Sequence, residues 1–132
     1  MSVGACDMVN FGPMETVPSE FSNRNLYKHN PTVTLMRTTV EENVQIGTKL
    51  AEKWNDAKTP MTVILPKQGV SMIDADKQPF EGVAERTALF DTLKKNIQND
   101  KVDILELDNN INDQAFAEAA AKRLIQLIEA QK

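Results

Sequence analysis

Thr62-Val63-Ile64-Leu65-Pro66-Lys67-Gln68-Gly69-Val70-Ser71-Met72-Ile73-Asp74 is the stretch that decides the fold. A short apolar run, Met61 to Leu65, ends in Pro66-Lys67-Gln68-Gly69 and passes into a small polar turn. An unbroken run of this kind suits a strand covered on both faces, as in a parallel sheet. In an open α/β sheet the ligand loop follows the carboxyl end of such a strand, which puts Lys67 to Ser71 on a binding rim.

Upstream, Val33-Thr34-Leu35-Met36-Arg37 is a second β-branched and apolar run, started by Pro31, which has no N–H for a ladder. Thr38 and Thr39 each stand three residues before a glutamate, Glu41 and Glu42, the spacing of a capping box. The helix that follows carries Val40, Val44, Gly47, Leu50, Ala51 and Trp54 on one face and stops at Thr59-Pro60. Downstream, a long loop from Pro66 to Glu81 leads to a helix over Val83 to Gln98, striped by Leu89, Leu93 and Ile97. Val102 to Leu107 alternates apolar and acidic residues, the pattern of an edge strand with one exposed face. A turn over Asp108 to Asp113 opens a last helix, Gln114 to Ala130, with Phe116, Ala119, Ala120, Leu124, Leu127 and Ile128 as its buried stripe and Arg123 the polar exception on it.

Strand-then-helix units in succession predict an α/β fold: a small Rossmann-like parallel sheet of three or four strands with about three helices. So small a sheet suits one lobe of a two-lobe protein. Residues 32–132 make the Rossmann-like lobe. Residues 1–31, dense in Gly, Pro, Asn and Ser, read as an irregular segment after a short strand over Ala5 to Val9. That segment still carries Met8, Val9, Phe11, Met14, Val17, Phe21, Leu26 and Tyr27, so it packs on the domain or on a partner.

Composition excludes several classes. Of 132 residues, 41% are apolar, and no run approaches the roughly 20 residues of a spanning helix, so no membrane role is expected. Net charge is −4 with both signs interspersed, which offers no basic patch to DNA or RNA. The start, Met1 to Cys6, has neither the basic nor the apolar region of a signal peptide, and a single Cys6 means a fold built for a reducing compartment or indifferent to redox; a cytoplasmic setting is expected. One cysteine and one histidine rule against structural zinc.

On the expected rim lie Arg37, Thr38 and Thr39, then Lys67, Gly69, Val70 and Ser71, then Asn109 and Asn110. The threonines, Gly69 and Ser71 offer N–H and hydroxyl donors to an anion, and Arg37 a bidentate pair with phosphate or carboxylate. The threonines read also as helix caps, and Gly69 and Ser71 as turn residues. Asp74 and Asp76 read as Mg²⁺ ligands beside a phosphate, or as solvated loop carboxylates. His29 orders the turn in His-Asn-Pro or acts as a base. Cys6 reads as a small apolar residue, and Arg123 as a snorkelling one. Neither phosphate-binding glycine motif, G-x-x-x-x-G-K-[ST] or G-x-G-x-x-G, is present.

Four blocks, in order and covering nearly the whole chain, carry a resemblance. They are Gly4-Ala5-Cys6-Asp7-Met8-Val9-Asn10-Phe11-Gly12-Pro13; His29-Asn30-Pro31-Thr32-Val33-Thr34-Leu35-Met36-Arg37-Thr38-Thr39 with Glu41-Glu42-Asn43; Gly69-Val70-Ser71-Met72-Ile73-Asp74 with Gln78-Pro79-Phe80; and Ile111-Asn112-Asp113 with Phe116-Ala117. Together they resemble the Tm-one-like ATP-binding domain family, a family related to the tomato tobamovirus-resistance protein. Its members are much longer, and the chain resembles their C-terminal lobe. The resemblance implies two Rossmann-like lobes with a nucleotide, ATP with Mg²⁺, in or near the cleft between them. The N-terminal lobe is then a partner, and Asp7, Asn10 and His29 are cleft-lining candidates. The chain departs from the family at Gln68, where glycine is usual, at Asn109-Asn110, where a histidine is common, and at Gln114, where proline is common.

Three functions compete on these grounds. The first is a nucleotide-binding lobe. The second is a non-catalytic interaction module that forms a homo-oligomer. The third is an enzyme that anchors a small carboxylate or phosphate on Arg37. The residues name no reaction.

Overall fold

The computed structural model describes residues 1–3 and 6–131. The Met61–Pro66 run is the strand expected of it. With Ser2–Val3 as β1, Met8–Phe11 as β2, Leu26–Asn30 as β3 and Val33–Arg37 as β4, it is β5, and Val102–Leu107 is β6. Three α-helices follow among the described residues: α1 (Val40–Asn55), α2 (Val83–Asn96) and α3 (Gln114–Glu129). The fold is α/β.

β5 is the centre of a three-stranded parallel sheet ordered β1-β5-β6. Ser2 pairs with Val63 on one side, and Met61 through Pro66 pair with Val102 through Leu107 on the other. Its side chains alternate between faces. Val63 and Leu65 point into a core with Ala51 of α1, Leu89, Phe90 and Leu93 of α2, and Val70 and Val102. Ile64 points the other way, to Phe116 and Ala120 of α3. β6 is an edge, as its alternation predicts, with Asp103 and Glu106 exposed.

One strand sits elsewhere than expected. β4 is not in the parallel sheet; it is the middle of a separate antiparallel sheet, β2-β4-β3. The reason is local. Asn30-Pro31-Thr32 makes a tight turn in which the Asn30 side chain accepts from the Thr32 N–H at 2.9 Å and from its hydroxyl at 3.0 Å, and β3 folds straight back on β4. A run buried on both faces fits a covered central strand of either kind of sheet. The described residues of 1–31 accordingly hold three strands and two short 3₁₀ turns, Met14–Thr16 and Ser19–Phe21, each opened by a proline, rather than one irregular loop. Of the strand expected over Ala5 to Val9, Met8 and Val9 belong to β2, and Ala5 lies outside the described residues.

α1 opens with the capping box: the Thr39 hydroxyl accepts from the Glu42 N–H at 3.2 Å, and the Thr39 N–H donates to the Glu42 carboxylate at 2.8 Å. Its inward face is Asn43, Gly47 and Ala51, flanked by Ile46, Leu50 and Trp54; Val40 and Val44 are exposed, against expectation. Gly47 faces Thr92 of α2, and a Cβ there would meet it at 3.0 Å, so the two helices touch backbone to side chain. On α3 the inward stripe is narrower than expected. Phe116 and Ala120 are buried, whereas Leu124 and Ile128 are exposed together with Ile125.

Candidate functional site

The loop between β5 and α2 is built around one carboxylate. Asp74 is 0% exposed. Its Oδ2 accepts from the Val70 N–H at 3.0 Å. Its Oδ1 accepts from the Gly82 N–H at 3.0 Å, from Arg37 Nη2 at 3.1 Å and from Arg86 Nη1 at 2.6 Å. A single side chain thus ties both ends of the loop to the last residue of β4 and the first turn of α2. The expected solvated carboxylate, or Mg²⁺ ligand, is a buried hub whose two oxygens are already met by four donors. Asp76, by contrast, is open to solvent. Among the described residues no three His, Cys, Asp or Glu side chains gather as a metal would need.

Arg37 is 5% exposed, and the rest of its guanidinium is engaged by the Phe80 and Asp7 carbonyls at 3.1 and 3.2 Å and by Thr38. Thr38 is buried too: its hydroxyl donates to the Cys6 carbonyl at 2.6 Å and accepts from Asn43 Nδ2 at 3.0 Å. Asp7 accepts the Ser71 hydroxyl at 2.6 Å, and Ser71 Oγ accepts the Asp74 N–H at 3.0 Å. So Arg37, Thr38, Asp7, Ser71 and Val70 come together, but as one internal network. Thr39 is taken by the α1 cap.

The rim itself is made by Lys67, Gln68, Gly69, Ser71, Asn109 and Asn110. The Lys67 N–H continues the ladder to the Leu107 carbonyl at 2.9 Å, and the Gln68 N–H reaches the Asn109 carbonyl at 3.0 Å. Asn110 Nδ2 donates to the Ser71 carbonyl at 3.1 Å, and the Ile111 N–H to the Gly69 carbonyl at 2.9 Å. The loops after β5 and β6 are therefore one surface, with the Lys67 and Gln68 side chains exposed. Gly69 has φ 138°, and a Cβ would collide with the Asp74 carbonyl and Asn110, so only glycine fits. Gln68, the departure from the family pattern, bridges to Asp108 at 2.6 Å across the rim.

Asn10 and His29 meet in a different place. They line a groove of about 350 Å³ with Ser71, walled by Met8, Val33 and Leu35 on one side and Met72 and Ile73 on the other. Asp7 is not part of it. Cys6 packs against the main core, and burial first, then the neighbouring Asp7 carboxylate, push its thiol above the ordinary value. That favours the thiol over the thiolate, the form that acts as a nucleophile. Arg123 bridges Thr62 and Asp103, each at 2.9 Å, and joins α3 to β5 and β6.

Sequence reasoning missed Arg86 and Gly82. Arg86 had a signal: it stands on the stripe Leu89, Phe90, Leu93, where a cation needs a buried partner. Gly82 leaves no room for a Cβ against the Arg37 guanidinium, a constraint no local pattern reveals.

Residues 1–128 match the family described as "Uncharacterised protein family (UPF0261) C-terminal domain". The UPF0261 protein of Clostridium tetani is 59% identical over 96% of this chain, which covers 31% of that protein. The UPF0261 protein RA0729 of Rhizobium meliloti is 47% identical over 90% of the chain and 30% of its own length. The ToMV resistance protein Tm-1 of Solanum lycopersicum is 40% identical over 96% of the chain and 17% of its own length, and the ToMV susceptible protein tm-1 of the same species 38%. The chain spans less than a third of the length of each of these relatives. It belongs to the UPF0261 family and corresponds to the family's C-terminal domain.

Proposed function

We propose that this chain is the C-terminal lobe of a cytoplasmic nucleotide-binding protein, holding ATP, with Mg²⁺ carried on its phosphates, in a cleft shared with an N-terminal lobe. The observation that supports it is the joined rim. Two loops from adjacent parallel strands present the exposed Lys67 and Gln68 and the half-buried Asn109 and Asn110 outside the strands' carboxyl ends, where open α/β sheets take ligands. Lys67 supplies the charge, and Ser71, Asn109 and Asn110 the polar contacts. Arg37 and Thr38 act behind the rim by fixing the loop. The resistance and susceptible tomato proteins match the chain almost equally, so the antiviral role in one name is not part of the proposal. Calorimetric titration with ATP, with and without Mg²⁺, on the full-length Clostridium tetani relative and on this chain tests it. Tight binding by the full-length protein, weakened by Lys67→Ala at the matching position, is expected. No heat from the full-length protein under either condition ends the idea.

A second reading rests on α3, whose Leu124, Ile125 and Ile128 are 40, 54 and 51% exposed. An apolar stripe facing water marks a contact surface. In this reading the chain is an interaction module that docks on its own N-terminal lobe or on a second copy. Light scattering tests the second copy: a strictly monomeric chain at high concentration leaves only the lobe.

A further inference from the structure

Asp74 is shared by two guanidinium groups, Arg37 at 3.1 Å and Arg86 at 2.6 Å. One carboxylate against two buried cations leaves the triad itself net positive, so acids or anions are expected around it. The two sides of the triad differ. Arg37 looks onto a hollow that already holds Glu81 and Glu85. Arg86 looks onto a cavity of about 190 Å³ between α2 and the end of β6, where a second cation, Lys67, shares the lining. The acids of that cavity, Asp91 and Glu106, are both held by Lys94, at 3.0 and 3.1 Å. The side chain of Arg86 is 8% exposed; its Nη1 is on Asp74, and among the described residues its Nε and Nη2 bond to no protein group. Thr87, one residue on, adds a hydroxyl to the same wall.

We propose that this cavity is an oxyanion site, sized for one phosphate-like group and anchored by Arg86 and Lys67. A planar guanidinium with two free donors beside an exposed ammonium is the pairing that tetrahedral oxyanions select. The site lies beside the rim rather than on it, and it shares only Lys67 with the nucleotide reading; Arg86 and Thr87 belong to it alone. The anion's source is either a free phosphate or a phosphoryl group of a larger ligand, and the chemistry of the site is the same for both.

The test is titration of this chain at low salt with inorganic phosphate and, separately, with ATP, followed by calorimetry. Saturable one-to-one binding of phosphate assigns a free anion; binding of ATP alone assigns a phosphoryl group. Thr87→Glu, at an exposed helix position, puts a carboxylate into the cavity without touching the triad and is expected to abolish binding of either. Lys67→Ala is expected to weaken it about tenfold, the scale of one charge-assisted hydrogen bond. Thermal melts confirm that both variants fold. No saturable binding of either ligand, or binding undiminished in Thr87→Glu, overturns the proposal. ATP bound by the full-length relative but indifferent to Thr87→Glu would uphold the nucleotide reading and sink this one. Phosphate bound here with no ATP bound there would do the reverse.

Discussion

On one face of the parallel sheet, Val63 and Leu65 of β5 meet two helices and a closed core. On the other, Ile64 meets Phe116 and Ala120 of a single helix, α3, and the outer side of that helix is left in water. The same strand serves both, so the difference lies in the cover. α1 and α2 put Ala51, Leu89, Phe90 and Leu93 into that core and, of their large apolar side chains, leave only Val40, Val44 and Val83, in their first turns or just after, in water. α3 presents apolar residues on two sides, and the sheet can use one. A helix apolar on opposite sides is built to be covered from both. The first face is thus covered by two helices, whereas the second is covered by one whose outer side is apolar and exposed.

Substitutions can break this contrast. The largest effect is expected at Asp74, which pins the loop over the open end of the closed face. Asp74→Ala strands two buried guanidinium groups and should cost about 4 kcal/mol in denaturant unfolding. A loss under about 1 kcal/mol would mean that the hub is not what closes that face. Leu93→Ala, fully inside the same core, should cost about 3 kcal/mol. Ile125→Ser, on the outer side of α3, should stay within about 0.5 kcal/mol in the isolated chain. The contrast between the faces fails if these last two are alike.

An electrostatic prediction concerns the start of α1 and is small. Arg24 donates to Glu42 at 2.6 Å, and this hydrogen bond, helped by the Thr39 N–H, holds the Glu42 carboxyl below its ordinary value of 4.5. A carboxyl depressed on folding adds stability above its unfolded value and loses it as the pH falls through the folded one. The Glu42 side chain is 37% exposed, so solvent screens the pair and the loss is modest. Between pH 5 and pH 3, as ordinary carboxyls titrate (about 4.3), the native chain should lose slightly more stability than Glu42→Gln; parallel slopes would refute the pairing.

Much of this contrast was legible in the chain. The unbroken run of β5 and the acid-punctuated run of β6 identify a central and an edge strand, because burial on two faces leaves no room for polar alternation. The Thr39–Glu42 spacing locates the start of α1, although Thr38 has the same spacing to Glu41 and only the fold turns it inward. The partner of β4 was not legible, since two-sided burial looks alike in parallel and antiparallel sheets; the Asn30-Pro31-Thr32 turn held the discriminating signal. The rim residues follow from topology, and Lys67, Gly69, Asn109 and Asn110 stand where it puts them. The fate of Arg37, Thr38 and Asp74 does not follow, because a charged residue in sequence carries no mark of its partner. Only the stripe position of Arg86 hinted at a buried acid.

The Asp74 hub also bears on the order in which the chain folds. β3 and β4 are joined by a tight turn and can pair as soon as they are made, whereas β1 must wait for β5, whose residues lie some sixty positions on. Arg37 and Arg86 bring β4 and α2 to the same oxygen of Asp74, so the loop can settle only after both elements have arrived. Hydrogen exchange following a refolding pulse should then protect the β3–β4 hairpin amides first and the Val70 and Gly82 N–H groups last. Early protection of Val70 would show instead that the carboxylate organises its loop before the sheet exists, and would make Asp74 a nucleus rather than a keystone.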